Sequence, residues 1–192
     1  VSASEAPNFL PEFQHQNWAM ASEAYHYLVE RDGLPELTLA QLEYAAHQTP
    51  PGRGEVYEIG DKTIILDGAH NPQKLEALLH SLEREGYTSG AILASFVESP
   101  DSKLDSCIEL LSDFATHWIV PEFQVGQDIM NRKSFTADYV IERASSSKMQ
   151  KVPEINEAFQ MLLKRPEKTL LITGSLYLVS LLRPEILKLQ SK

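Results

Sequence analysis

From residue 55 to the C-terminus short apolar runs alternate with amphipathic stretches, and that rhythm leaves few folds open. KTIIL, GAILASF, HWIVPEF and TLLIT have strand length, and the segments between them repeat apolar residues at helical spacing. A strand followed by a crossover helix returns parallel to itself, with its helix lying over the sheet. The pattern predicts an α/β fold: a Rossmann-like, three-layer α/β/α domain with a mostly parallel sheet. EVYEIG and KTIILDG, separated by Gly60-Asp61, pair instead as a hairpin.

Residues 72–85 are expected to form a helix with Leu75, Leu78, Leu79 and Leu82 inward. Ser102 and Asp105 can box the start of another, carrying Leu104, Ile108 and Leu111. Pro153 fits the first turn of a third, with Ile155, Phe159 and Leu162 on one face. A last helix starts near Ser175 and is expected to break before Pro184. Between 124 and 150 the pattern is weak: Thr136 can cap a helix through Tyr139 and Ile141, and ASSSK reads as a loop.

Upstream the texture differs. Trp18, Ala21, Tyr25 and Leu28 recur at helical spacing across residues 14–29. A second helix starts at Thr38, boxed by Gln41, with Leu39, Leu42 and Ala46 as its apolar face. Thr49-Pro50-Pro51-Gly52 then stops it, because neither helix nor interior strand passes easily through that sequence. The expected division is a helical segment over 1–48 and the Rossmann-like domain over 49–192.

The 192 residues suffice for one good core, or for one domain and a piece of another. A formal charge of -10 gathers no basic stripe for nucleic acid, and no apolar run approaches the roughly 18 residues of a membrane span. The first residues, VSASEAPNFLPEF, lack the basic and apolar regions of a secretory signal, and the single Cys107 makes no internal disulfide. A cytoplasmic protein is expected. His15, His26, His47, His70, His80 and His117 form no metal-binding spacing, so no metal site is expected in this chain. The run GEVYEIGDKT resembles a phosphate-binding loop only superficially, with five residues between its glycines and Asp61 between Gly60 and Lys62.

In an open parallel sheet, ligands gather at the carboxyl ends of the strands. LDGAHNP places Asp67 and His70 there, with Asn71 to cap and Pro72 to open the next helix. Asp67 can accept from sugar hydroxyls or make an Asx turn; His70 can stack and donate or be an ordinary surface histidine. Gly174-Ser175 follows TLLIT, where a glycine allows close backbone approach and Ser175 opens a helix whose free amides favour an anion, or simply caps it. Arg53, beside the Pro-Pro-Gly corner, is a good bidentate phosphate ligand or a solvated loop residue. Asn17 can read a base edge or occupy a half-exposed helix position.

Together LPEFQHQN (10–17), PPGRGE (50–55), LDGAHNP (66–72) and LLITGSLYLVS (170–180) resemble, in order and spacing, the folylpolyglutamate synthase/dihydrofolate synthase family of the Mur ligase superfamily. The resemblance covers the end of the family's central ATPase domain and its C-terminal domain. It implies an ATP-dependent ligase that joins L-glutamate to a folate or dihydropteroate carboxylate through an acyl phosphate. By the same resemblance Asn17 contacts adenine, Arg53 the ATP phosphates, and Asp67 and His70 the nucleotide or the glutamate side of the cleft. Ser175, with Gly174, helps bind glutamate. The family's P-loop and its Mg2+ ligands belong to an N-terminal domain that this sequence does not include, so the chain reads as a C-terminal portion, inactive by itself. The family's acidic-Lys-Asp stretch after GAILASF is replaced by Phe96-Val97-Glu98-Ser99-Pro100-Asp101. Two other readings are a stand-alone binding module that keeps the ligase fold without catalysis, and a Mur-type amide ligase acting on a cell-wall precursor.

Overall fold

The computed structural model describes residues 6–7, 10, 12–48, 50–99, 103–127, 130–144 and 146–191. The chain divides into two compact units, Val1–Pro51 and Gly52–Lys192. In the first, α1 (Glu12–Asp32) leads to α2 (Leu39–Ala46), which opens with the expected capping box between Thr38 and Gln41. The expected apolar stripes are not buried faces. Ala21 and Leu28 are exposed on α1, and Leu39 is 74% exposed on α2 while Ala46 is buried. A 21-residue and an 8-residue helix have too little surface between them to cover such stripes within this unit.

The second unit runs β1 (Glu55–Ile59), β2 (Lys62–Leu66), α3 (Pro72–Arg84), β3 (Gly90–Ala94), α4 (Leu104–Phe114), β4 (Ala115–Val120), β5 (Gln124–Gln127), β6 (Met130–Lys133), α5 (Ala137–Ala144), β7 (Met149–Lys151), α6 (Ile155–Leu163), β8 (Thr169–Thr173) and α7 (Leu176–Gln190). One six-stranded sheet has the order β1-β2-β8-β3-β4-β7, parallel except for the edge hairpin β1–β2. The period of two sorts each strand's side chains between two cores. Ile65, Ile92, Leu171 and Trp118 face α3, α4 and α5, whereas Ile64, Leu66, Leu93, Leu170 and Ile172 face α6 and α7. Because the last strand returns between β2 and β3, the carboxyl ends of β2, β8 and β3 lie side by side where the strand order reverses.

Three expectations are corrected. The last helix does not break before Pro184 but continues to Gln190 with the proline inside it. Leu178, Val179 and Leu182 before the proline and Ile186 after it are all buried on the sheet, and that packing offsets the lost backbone bond. Pro153 lies ahead of α6, whose cap is Glu154: its carboxylate accepts from the Glu157 amide at 2.7 Å. The weakly patterned stretch holds a two-stranded hairpin, β5–β6, and the edge strand β7 besides the expected helix, where Thr136 Oγ1 accepts from the Tyr139 amide. The Ser102 half of the expected capping box, and Thr49, lie outside the described residues. Cys107 is buried in α4, and burial pushes its thiol up to about 11. No helix among the described residues is long and apolar enough to cross a membrane.

Candidate functional site at the strand ends

LDGAHNP leaves the end of β2 as a tight turn into α3. Asn71 Oδ1 accepts from the Lys74 amide at 3.0 Å, and Pro72 takes the first helical position, where its missing N–H costs nothing. Asp67 is 3% exposed and both carboxylate oxygens are engaged: Oδ1 accepts from the Ala69 amide at 2.7 Å, Oδ2 from the Gly54 amide at 2.8 Å. The first bond is the Asx turn. The second reaches across 13 residues to the loop that carries Arg53. Burial pushes the Asp67 carboxyl up, against the two amides and the nearby charges of Arg53 and Lys74.

The Arg53 loop is held on both sides of its arginine. Gly52 donates its amide to Glu55 Oε2 at 2.9 Å, and its carbonyl accepts from the Gly68 amide at 2.9 Å. Arg183 of α7 grips the Glu55 carboxylate through Nε and Nη2 at 2.8–2.9 Å. Although burial opposes it, Arg183, the Gly52 amide and Tyr57 hold the Glu55 carboxyl below the ordinary carboxylate range. Gly52 has φ +74°, and a Cβ there would sit 2.6 Å from Val179 Cγ1, so the loop presses on α7 as only glycine permits. Arg53 itself is half-buried, and its guanidinium makes no hydrogen bond or ion pair with another described residue.

The second loop, Gly174-Ser175, is stitched to the first. The Gly174 amide donates to the Ala69 carbonyl at 2.9 Å, and Thr173 Oγ1 donates to the same oxygen at 3.3 Å. Gly174 has φ +94°, and a Cβ would lie 2.7 Å from the Ser95 carbonyl oxygen, so this loop also rests on the end of β3. Ser175 is buried, and its Oγ accepts from the Tyr177 amide at 3.1 Å as the cap of α7. Both bland readings, cap and Asx turn, therefore hold for Ser175 and Asp67, and they fasten three loops together.

A crevice of about 650 Å3 opens over these strand ends, lined by His70, Asn71, Phe96, Lys103, Ser175 and Tyr177 among others. The exposed His70 ring donates Nδ1–H to the Gly68 carbonyl at 2.8 Å, which leaves Nε2 as an acceptor 3.3 Å from Lys74 Nζ. His70, Gly174 and Ser175 thus converge at one place, with Asp67 beneath as the tie to Arg53. Asn17 belongs to the other unit, on the exposed side of α1, where its Nδ2 donates to Gln14 Oε1 at 3.0 Å. Arg183, Ser95 and Lys103 belong to no motif in the sequence, and Glu55 closes PPGRGE without announcing its partner; only the fold brings them together. No group of three or more metal-ligating side chains is gathered among the described residues. The Arg53 guanidinium, unpaired among the described residues, suits an anionic phosphate.

Residues 52–176 match the family described as Mur ligase, glutamate ligase domain. No curated protein matches the chain. Among solved structures, E. coli FolC in complex with ADP, without folate substrate, superposes with a TM-score of 0.66 at 18% identity, over 86% of this chain and 39% of that one. Folylpolyglutamate synthase from Thermotoga maritima gives 0.61 at 22% identity, over 83% and 36%. A bifunctional folylpolyglutamate synthase/dihydrofolate synthase with Mn, AMPPNP and L-glutamate bound gives 0.59 at 18%, over 79% and 36%. At such identities the likeness is one of fold, and the chain spans little more than a third of the length of these structures. The family model covers well over half of the chain, which belongs to the Mur ligases as their C-terminal, glutamate ligase domain.

Proposed function

We propose that this chain is the C-terminal part of an ATP-dependent ligase that adds L-glutamate to a folate or dihydropteroate carboxylate through an acyl phosphate. The observation that carries this reading is the Arg53 loop: a guanidinium unpaired among the described residues, on a glycine corner held by Asp67, Glu55 and the backbone bond from Gly68 to Gly52. A loop fixed in this way holds the backbone of Arg53 in place, so the arginine is presented from a rigid corner to the phosphate charge that develops. In the reaction the acceptor carboxylate takes the terminal phosphoryl group and ADP leaves. The amine of glutamate then attacks the acyl carbon, phosphate departs and the amine proton is lost.

In this reading Arg53 binds the nucleotide's phosphates. His70 offers its ring face and Nε2 to the nucleotide or to glutamate, and the start of α7 at Gly174-Ser175 faces the glutamate. Asp67 acts through the Arg53 loop. Asn17 supplies an adenine contact from the helical unit, and the two proposed domains, 1–48 and 49–192, work with an N-terminal P-loop domain of the same polypeptide that carries the Mg2+ ligands. The reading draws support from the family and from the likeness to FolC structures that hold ADP or AMPPNP.

The test is ADP release by this chain and by the intact polypeptide that contains it, with L-glutamate and a folate acceptor. Turnover only by the intact polypeptide, reduced at least a hundredfold, about 2.7 kcal/mol, by Arg53→Met, supports the reading. Turnover with a cell-wall precursor and not with folates would move the acceptor. Silence with every acceptor would leave a binding module.

A further inference from the structure

The crevice holds a charge that the reading above leaves unused. Its described lining includes no carboxylate, although the chain as a whole carries a net charge of -10; among the described lining residues the permanently charged side chain is Lys103. Lys103 stands in the cap position of α4, where a side-chain acceptor is normally wanted and where a cation meets the positive end of the helix. It makes no side-chain cap bond there. Nor does its ammonium pair with any described residue. Local stability alone selects Ser, Thr, Asp or Asn at such a place, by about 1 kcal/mol over a residue that cannot cap.

A second group nearby also lacks a partner. Ser95 Oγ, at the end of β3, is fully buried and unbonded among the described residues. Its backbone lies against Gly174, next to the lining residue Ser175, and it is followed by Phe96, which lines the crevice too. An ammonium unpaired among the described residues and the start of an 11-residue helix that it does not cap therefore line a cavity whose described wall holds no anion, and the unpaired Ser95 hydroxyl is buried directly behind Phe96 of that wall. Phe96, Val97, Leu104 and Leu176 give the same cavity an apolar wall, which suits the carbon chain of an organic acid better than a bare inorganic ion.

We infer that Lys103 is the specificity-determining cation of a carboxylate subsite in this crevice. It faces the side-chain carboxylate of the incoming amino acid, whose methylene groups lie on the apolar wall, and it selects an acidic over a neutral side chain. The inference rests on the ligase reading and adds to it the residue that makes the choice. Misplacing a lysine at a helix start is a local cost of the kind found at functional sites.

The test is steady-state kinetics of the intact polypeptide with L-glutamate and L-glutamine compared. Lys103→Met should raise KM for L-glutamate about tenfold, leave KM for ATP unchanged and leave the weak use of L-glutamine as it was. Lys103→Arg should restore most of the discrimination. Because Lys103 is exposed and uncapped, Tm should not fall. An active ligase whose glutamate-to-glutamine preference survives Lys103→Met would overturn the inference and leave the ligase reading standing. Absence of glutamate-dependent turnover in the unsubstituted protein would remove both.

Discussion

Asp67→Asn separates a ligand role for this carboxylate from a tethering role. The wild-type side chain serves two amides, Ala69 N–H at 2.7 Å and Gly54 N–H at 2.8 Å, with two acceptor oxygens. An asparagine has one acceptor, so one amide must face an NH2 group and stay unsatisfied in a buried position. That costs about 1–3 kcal/mol. Removing a charge from a site where burial already pushes the carboxyl up returns part of it, so a net loss of about 1–2 kcal/mol is expected. Thermal unfolding should show Tm lower by roughly 3–8 °C. If Asp67 acts through the Arg53 loop, KM for ATP rises in Asp67→Asn and Arg53→Met, and the double variant is less impaired than the sum, with a coupling of at least about 0.5 kcal/mol. An unchanged Tm with strictly additive kinetic effects would refute the tether and make Asp67 a direct ligand.

Two further substitutions probe the frame. Gly174→Ala places a methyl group 2.7 Å from the Ser95 carbonyl at φ +94°, so the β8–α7 loop must move; stability should fall by more than about 1 kcal/mol in urea unfolding, and KM for glutamate should rise. Arg183→Met leaves the Glu55 carboxylate without its guanidinium; since both side chains are partly solvated, about 1–2 kcal/mol should be lost, with a higher KM for ATP as the Arg53 loop loosens. The same pair sets an acid limb. A carboxyl held below its ordinary value contributes stability that is complete above about pH 4.3 and lost as pH falls through the lower folded value. Arg183→Met should therefore narrow the stability difference between neutral and acid pH, and an acid titration parallel to the wild type would count against it.

The alternation of strands and helices was legible because the central strands β2, β8, β3 and β4 are largely buried on both faces and the helices over them on one. Leu75, Leu78 and Leu82, or Ile65 and Leu171, have no other place to go. What escaped were elements held by tertiary context. β7 is three residues long, MQK, with a basic and a polar residue in it, and is a strand because it pairs with Trp118, Ile119 and Val120 on β4. The β5–β6 hairpin has no apolar alternation to announce it. Pro184 is the opposite case: its local preference is to end a helix, and a buried face extending on both sides overrides it.

The site shows the same division at a finer scale. Asp67, His70, Gly174 and Ser175 could be singled out because strand-to-helix junctions expose chemistry in one short stretch. Their partners could not, because a hydrogen bond such as Gly54 to Asp67 or Arg183 to Glu55 spans 13 or 128 residues and leaves no spacing to read. This changes what the motif means. An aspartate at the end of a strand invites the role of ligand, yet its two oxygens here are already committed, and the charged group left without a partner among the described residues is Arg53, on the loop it anchors. The glycines around it follow from that arrangement: Gly52 and Gly68 must lie against Val179 and Leu176 before the amide of Gly54 can reach the carboxylate. The short run of small residues in PPGRGE and LDGAHNP is thus the packing condition for fixing the backbone that carries Arg53, and the motif's charge enters through its least conspicuous neighbour.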